Sequence, residues 1–283
     1  MKKVKLTLTA FLFTVSLSAH PGIGIVMDSK GNVFYTDLVH VWKISTEGDK
    51  SIAVENVHTH ALYIDENDNL YGEHVWYNGE QEDTWGNFVW CLGWDGELEI
   101  TVPAVEGFLD NNTLTRDPDN YSYWVQSSDS DQVLFKSLDE DSHQKVTDYS
   151  FKDIRWKHYS THHNCLYIVD QISLIKVDQM GKSKILIDNL KQSGSIFQRV
   201  ADRHYVFGIW TDAKDTFAAL YGAKKVIKIS TNGQYETIYE SKRGWSPCGG
   251  LSAEDGSLWI MEFSRSNKTR IVHLKDSKVQ KVY

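Results

Sequence analysis

The sequence predicts an all-β protein, a six-bladed β-propeller with four-stranded antiparallel blades. One strand–turn–strand pattern recurs six times in the 283 residues, and its strands are short runs of β-branched and aromatic residues. Asp, Asn and Gly clusters separate these runs, and no helical periodicity of useful length is present. Repeats of about 45 residues with four strands each are typical of propeller blades. A two-sheet sandwich does not account for six copies of one pattern.

The six copies follow one another along the chain. Each begins with a short apolar strand, continues through a polar turn and returns in a second apolar strand. The copies cover residues 24–48, 61–76, 113–126, 154–171, 208–233 and 249–263. The last copy leaves the chain up to residue 283 for its outer strands. Each blade is therefore predicted to be one contiguous segment, and the ring to close by packing between blades 1 and 6.

The first 19 residues predict a secretory signal peptide, which is followed by a single propeller domain over residues 20–283. Three lysines precede an apolar run at residues 6–17, and the small residues Ser16, Ser18 and Ala19 at its end offer a cleavage site. This run is too short to span a bilayer. We therefore expect a secreted or periplasmic protein without membrane insertion.

Charge and cysteine content narrow the function classes. The net charge is −8 at pH 7, and removal of the three leader lysines makes it more negative by three. An acidic chain without a basic run repels phosphates, so nucleic acid is not an expected partner. The odd number and wide spacing of Cys91, Cys165 and Cys248 predict neither a disulfide framework nor a CxxC metal site. A small molecule or a glycan is the expected ligand, and a monomer the expected state.

The first copy, "GIVMDSKGNVFYTD", together with the "KIS" that follows it, resembles the NHL repeat. The chain is also similar to the SMP-30/gluconolactonase family and to the streptogramin lyases, and the similarity covers essentially residues 20–283. The resemblance implies a soluble or exported ring with its site at the mouth of the central channel. It does not select an activity, because this superfold carries lactonases, lyases and pure binding modules.

Two sets of positions are expected to meet at that mouth, on the rim called the top here. The residues that end the second strand of each blade are all polar: Asp37, His74, Gln126, Asp170, Tyr221 and Glu262. The residues that lead into the innermost strand are Ile23, His60, Asn112, Trp156, Phe207 and Cys248. The polar strand ends can instead cap the rim by bonding to loop backbone.

The resemblance to the lactonases implies one divalent metal ion held by Glu, Asn and Asp residues that lead into several innermost strands. Only Asn112 matches that pattern here. A Ca²⁺ or Mg²⁺ cage would therefore combine Asn112 with carboxylates from strand ends. Histidines offer the alternative of Zn²⁺, with His60, His74 and Asp170 as the predicted metal ligands.

The resemblance to the streptogramin lyases implies a His leading into one innermost strand and a Glu at the second-strand end of the same blade. In blade 6, "LWIME" supplies Glu262, but Cys248 stands where the His is expected. Blade 2 supplies His60 and His74, while Glu73 should point away from His74 because neighbours on a strand face opposite sides. His60, His74 and Glu262 are the candidate catalytic residues.

The remaining candidates are expected to bind the ligand. They are Asp37, Asn112, Gln126, Asp170, Tyr221 and Trp245. Trp245 lies in "RGWSPCGG", and an aromatic face beside polar groups suits a sugar. The pair His162–His163 falls in a bottom turn and is interpreted as solvated.

Two functions stay open: a metal-assisted hydrolase or lyase acting on a small molecule, and a non-enzymatic module that recognises a glycan or protein partner.

Overall fold

The computed structural model describes residues 21–106, 114–137, 142–191 and 204–283. It confirms the six-bladed propeller: six antiparallel sheets, each built from strands that are consecutive in sequence. Within these ranges, five sheets have four strands and one has three. The described residues contain no α-helix, and hence no helix that could cross a membrane. The predicted signal peptide, residues 1–19, lies outside the described residues.

The strands are numbered in chain order. Blade 1 contains β1 (Ile25–Met27), β2 (Val33–Thr36), β3 (Val41–Ile44) and β4 (Lys50–Val54). Blade 2 contains β5 (Leu62–Ile64), β6 (Leu70–Tyr77), β7 (Trp85–Leu92) and β8 (Leu98–Glu106). Blade 3 contains β9 (Tyr123–Ser127), β10 (Gln132–Ser137) and β11 (His143–Lys145). Blade 4 contains β12 (Ile154–Ser160), β13 (Cys165–Asp170), β14 (Ser173–Asp178) and β15 (Ser183–Ile187). Blade 5 contains β16 (Ile209–Thr211), β17 (Thr216–Leu220), β18 (Lys225–Ile229) and β19 (Tyr235–Glu240). Blade 6 contains β20 (Trp245–Ser252), β21 (Leu258–Ser264), β22 (Thr269–Lys275) and β23 (Lys278–Val282).

Blade 3 departs from the predicted four strands. Among the described residues, its innermost segment pairs through one bridge, between Arg116 and Ser122. Leu114 and Thr115 still occupy the inner position, because both are buried and both line the channel. The Thr115 hydroxyl donates to the backbone carbonyl of Lys157 at 3.4 Å, which ties this segment to blade 4.

Most of the predicted turns between first and second strands form on the bottom rim as Asx turns, while in blade 4 the Ser160 hydroxyl accepts the backbone N–H of His163 instead. In blade 1 the Asp28 carboxylate accepts the backbone N–H groups of Lys30 and Asn32. Gly31 lies between them with a φ of 88°, a conformation that glycine adopts without steric cost. Asp65 repeats the arrangement in blade 2. The recurring Asp, Asn and Gly residues are thus explained by the hydrogen bonds and backbone angles that the turns require.

The hydrophobic core lies between neighbouring blades. At the seam that closes the ring, Tyr35 of blade 1 belongs to one buried cluster with Trp259 and Met261 of blade 6. The outermost strand of blade 6 also contacts blade 1 there, since the Lys281 ammonium on β23 donates to the carbonyl of Gly48 in the turn between β3 and β4 at 3.2 Å. The predicted closure by packing is confirmed, because every sheet uses consecutive strands only.

Candidate functional site: the central channel

The innermost segments of all six blades enclose a central channel with a cavity volume of about 440 Å³. Glycine lets the inner strands of blades 5, 6 and 1 approach one another. A Cβ atom at Gly249 would lie 2.6 Å from the carbonyl oxygen of Ile23, and one at Gly208 would lie 2.8 Å from the Gly249 Cα. These contacts narrow the channel and exclude any larger residue at either glycine.

The channel wall has two chemically different sides. Blades 6, 1 and 2 contribute mostly aliphatic side chains: Leu251, Ile25, Val26, Met27, Leu62 and Ile64. Blades 3 to 5 contribute most of the polar ones: Thr115, Arg116, Lys157, His158, Tyr159, His162 and Thr211. Among the described wall residues there is no aspartate or glutamate. Such a wall can hold an apolar molecule and bind one end of it through polar contacts.

Strand β12 carries two ionisable side chains into this channel. Lys157 and His158 keep some solvent contact inside the cavity, yet protein surrounds them on most sides. Burial lowers the pKa of Lys157 to about 8. Burial, followed by repulsion from His163 and His162, lowers the pKa of His158 to about 4. At pH 7 the channel therefore presents a charged Lys157 beside a neutral His158.

A chain of hydrogen bonds joins blades 4 and 5 along the polar side. His158 Nε2 lies 3.2 Å from the Thr211 hydroxyl, which lies 2.8 Å from the Ser160 hydroxyl. A neutral imidazole beside a hydroxyl can transfer protons, but a pKa near 4 makes His158 a weak base. In the following turn His162 is exposed, as predicted, and also borders the channel, while His163 is half-buried against the Tyr167 hydroxyl.

Two predicted ligand residues on the top rim are carboxylates that cap the backbone. Asp37 accepts two backbone N–H groups of its own turn and the indole N–H of Trp42 at 2.7 Å. Asp170 is buried and accepts the backbone N–H groups of Lys152 and Asp153. These bonds occupy most of the acceptor capacity of both carboxylates, which explains their presence at the rim without a ligand.

The other predicted strand ends differ in setting. Gln126 is exposed on β9, and Tyr221 packs edge-on against Phe207 with ring centroids 4.9 Å apart. In blades 2 and 6 the second strand continues beyond His74 and Glu262, because the hairpins there are longer. The central cavity is lined by none of the six strand-end side chains. Asn112 lies outside the described residues.

Glu262 is fully buried on β21 (0% exposed) and belongs to an ion-paired cluster between blades 5 and 6. One of its oxygens accepts from Arg270 Nε at 2.6 Å and the other from the Tyr239 hydroxyl at 3.0 Å. Trp245 covers the pair, since the Arg270 guanidinium lies 4.0 Å from its ring centroid. Burial and then the Glu262 charge raise the pKa of Tyr239, so this hydroxyl remains a donor.

The histidine-rich part of blade 2 makes two contacts on opposite faces of β6. His74 Nδ1 accepts the backbone N–H of His58 at 3.0 Å, and its ring stacks on Phe88. Glu73 accepts the backbone N–H of His60 at 2.7 Å and lies 3.6 Å from His60 Nδ1. Glu73 points away from His74, as expected, and is the carboxylate that reaches His60.

The predicted metal ligands do not converge. His74 directs Nδ1 at a backbone N–H group, and Asp170 uses both carboxylate oxygens for backbone N–H groups. In the part of the chain that the structure describes, no three His, Cys, Asp or Glu side chains are arranged to hold a metal ion. Within the described residues, His60, His74 and Asp170 therefore do not form the predicted Zn²⁺ site, and the alternative cage built on Asn112 falls outside those residues.

Sequence reasoning missed the polar wall of the channel. It favoured strand ends, where polar residues are conspicuous, and treated the innermost strands as apolar. The signal was nevertheless present in "IRWKHYS". Counted back from the bottom turn, this strand puts Lys157 and His158 where blade 1 has Ile25 and Val26.

We expect the unfolding free energy of His74→Asn to fall less steeply than that of the unmodified protein as the pH is lowered below neutral. Burial lowers the pKa of His74, so below about pH 6.5 the unfolded chain binds more protons than the native state. Stability is therefore lost as the pH falls through this window. Asparagine offers an amide oxygen to the same N–H but does not titrate. Urea unfolding from about pH 7 to about pH 5 should show a shallower loss in the variant.

A matched control for this prediction is His143→Asn, because His143 is exposed on β11. It should reproduce the slope of the unmodified protein. Parallel profiles for His74→Asn and the unmodified protein would show that the His58–His74 contact does not sense pH.

No family model matches the chain, and no curated protein matches it in sequence. Solved structures match it in fold. A chain of a nidogen/laminin complex superimposes with a TM-score of 0.59 at 13% identity, over 89% of this chain and 92% of that chain. A virginiamycin B lyase from Staphylococcus aureus superimposes with a TM-score of 0.51 at 10% identity, over 93% of this chain and 84% of that chain. A gluconolactonase from Xanthomonas campestris superimposes with a TM-score of 0.54 at 10% identity, over 86% of this chain and 83% of that chain. The chain thus shares the SMP-30/NHL-like propeller fold with lyase, lactonase and binding proteins.

Proposed function

We propose that the protein is a non-catalytic binding propeller that holds a small molecule in its central channel. The observation that carries this proposal is the cavity of about 440 Å³ bounded by all six blades. Small-molecule sites are usually mostly apolar cavities of about 300–1,000 Å³ with a few convergent polar groups. The channel meets this description, with an aliphatic side from blades 6, 1 and 2 and a polar side from blades 3 to 5.

The state of the candidate catalytic residues supports binding over turnover. A general acid or base needs a proton that it can exchange with the substrate. Glu262 is fully buried and ion-paired with Arg270, and His74 accepts a backbone N–H at Nδ1. His60 lies beside Glu73, whose carboxylate accepts the backbone N–H of His60. Each group thus has a structural partner that explains its presence.

Filling the channel tests the proposal. Leu251 lines the cavity and is half-buried on β20, so Leu251→Trp adds volume inside the channel. The probe is 1-anilinonaphthalene-8-sulfonate, whose fluorescence rises in apolar surroundings. We expect the variant to raise the dissociation constant of the probe about tenfold or more, a loss of about 1.4 kcal/mol or more.

Leu98→Trp is the matched control, because Leu98 is 56% exposed on the outer strand β8. It makes the same chemical change far from the channel and should leave the probe's affinity unchanged. Equal affinities in the unmodified protein and both variants would place the probe elsewhere and refute a channel site.

A second candidate function is recognition of a glycan or protein on the rim of blade 2. It is favoured by the long hairpin of β6 and β7, each of eight residues. Tyr77 on this hairpin is 42% exposed and packs against Trp85 with ring centroids 5.0 Å apart. Binding of a glycan or protein that is lost in Tyr77→Ala but survives Leu251→Trp would favour this function over the channel.

A further inference from the structure

We infer that the outer edge of blade 2 is a docking surface for an extended segment of a partner protein that carries lysine or arginine. The surface is formed by β8, which lies at the edge of its sheet, and by Trp94 in the turn before it. Because β8 is the strand farthest from the innermost one, this inference does not depend on the channel.

Strand β8 is the longest outer strand that the structure describes, and it exposes the most apolar surface. It has nine residues, whereas the other outer strands have three to six. Its Leu98, Ile100 and Val105 are 56%, 62% and 50% exposed, and Trp94 is 72% exposed. The other described outer strands each carry at most two large exposed apolar side chains. An exposed apolar strand edge is a place where another chain can add as a further strand.

The two faces of this edge differ in chemistry. Leu98 and Ile100 lie opposite apolar residues of β7 and continue their face outward, whereas Glu99 lies opposite Cys91. Since successive side chains of a strand point to opposite faces, Glu99 projects on the other side, together with Glu97. An extended partner would match this edge if its apolar residues alternate with basic ones.

Blade 2 also carries the excess negative charge of the chain. Of the 38 Asp and Glu residues, thirteen lie in residues 51–115, which contain no Lys or Arg. The other 25 are outnumbered by the 30 Lys and Arg of the remaining chain, even when the three leader lysines are removed. A surface of one sign attracts a partner of the opposite sign and repels one of its own. The occupant that fits this blade is therefore cationic.

Ion pairs within the chain do not neutralise the edge. In other blades, acidic residues pair with lysine or arginine, as Asp117 does with Lys136 at 2.6 Å. Within residues 51–106, the part of blade 2 that the structure describes, the one ion-pair contact is that of the buried Glu73 with His60. The exposed carboxylates of the edge thus remain available to basic side chains of a partner.

A second copy of this chain is a poorer match for the edge. Pairing of β8 with β8 would bring two equally acidic blades together, and like charges across a strand pair are destabilising. Pro103 has no N–H group to donate, so addition of a strand is favoured along the part of β8 that precedes it. That part contains Leu98, Glu99 and Ile100 and lies next to Trp94.

The test uses two labelled peptides and fluorescence anisotropy. In one peptide lysine alternates with valine, and in the other glutamate alternates with valine. We expect the unmodified protein to bind the lysine peptide at least about tenfold more tightly than the glutamate peptide, and added salt to weaken that binding. Glu99→Lys should weaken the lysine peptide about tenfold, because an attractive charge pair across the strands becomes a repulsive one. Its urea unfolding midpoint should equal that of the unmodified protein, which shows that the variant is folded.

Glu254→Lys is the matched control, because Glu254 is exposed in a turn of blade 6 and the substitution changes the net charge equally. It should alter the affinity for the lysine peptide by less than about twofold, since charges far from the edge are screened by salt. Ile100→Thr keeps a β-branched residue but removes apolar surface, and it should weaken the peptide about threefold or more.

The outcomes separate this inference from its alternatives. Equal losses in Glu99→Lys and Glu254→Lys would mean that the peptide responds only to net charge, and would overturn the docking surface. Equal affinities for the two peptides would also overturn it. Sedimentation of the unmodified protein at several concentrations tests the other occupant: self-association that Glu99→Lys abolishes would identify a second copy and refute a partner protein. Leu251→Trp should leave the peptide's affinity unchanged, so failure of the channel site is a separate result.

Discussion

Glu262→Ala is expected to lower the free energy of unfolding by about 3–5 kcal/mol, which is the usual cost of removing one partner from a buried ion pair. The carboxylate is fully buried, and Arg270 and Tyr239 both donate to it. Its loss leaves the guanidinium enclosed beneath Trp245 without a counter-charge. Guanidinium chloride unfolding followed by tryptophan fluorescence would measure the difference.

Two further variants make this result specific. Glu99 is exposed on β8, so Glu99→Ala should change stability by no more than about 0.5 kcal/mol. The double variant Glu262→Met with Arg270→Met removes both charges and should recover much of the loss, because apolar residues often replace a buried pair without cost. A Glu262→Ala variant as stable as Glu99→Ala would mean that Glu262 has no structural role, and it would restore Glu262 as a candidate acid or base.

Trp90→Ala is expected to cost about 3–5 kcal/mol, the range found when a buried aromatic side chain is truncated to alanine. Trp90 is 1% exposed in the cluster between blades 1 and 2. Its ring lies directly over Gly72, where a Cβ atom would come within 2.2 Å of it, and its indole N–H donates to Thr59 at 3.3 Å. Truncation would leave a cavity at this seam that the neighbouring strands cannot fill.

Trp94→Ala supplies the comparison, since Trp94 lies just beyond the same strand and is 72% exposed. Its effect on the unfolding free energy should stay within about 0.5 kcal/mol. If Trp90→Ala lowered the unfolding free energy as little as Trp94→Ala does, the packing between blades 1 and 2 would contribute little to stability.

The fold could be predicted from the sequence because its determinants are local and repeated. Each turn has its own Asp, Asn or Gly residues at fixed offsets, as Asp28 and Gly31 show in blade 1. Because the pattern occurs six times, a strand that is ambiguous in one copy can be assigned from the equivalent strands of the other copies. Blade 3 is the exception: from Leu114 onward, where the structure describes it, its inner segment makes a single bridge at Arg116, and the sequence does not signal so short a pairing.

The candidate site was harder to predict, because repeat register places a residue on a rim without giving its hydrogen-bond partner. Asp170 and Glu262 occupy equivalent positions, yet one caps backbone N–H groups and the other pairs with Arg270. Those partners come from the loop before β12 and from β22, and no periodicity relates them. Lys157 was overlooked for the converse reason, since its position on an inner strand suggests an apolar residue.

The consecutive order of strands in every sheet also bears on how the chain folds. All hydrogen-bonded strand pairs join neighbours along the sequence, so the contact order of the sheets is low for an all-β protein. A blade needs only its own segment to form its hairpins. Ring closure is different, because the Lys281–Gly48 contact spans 233 positions. The loop-closure entropy of folding is thereby concentrated at the seam between blades 6 and 1.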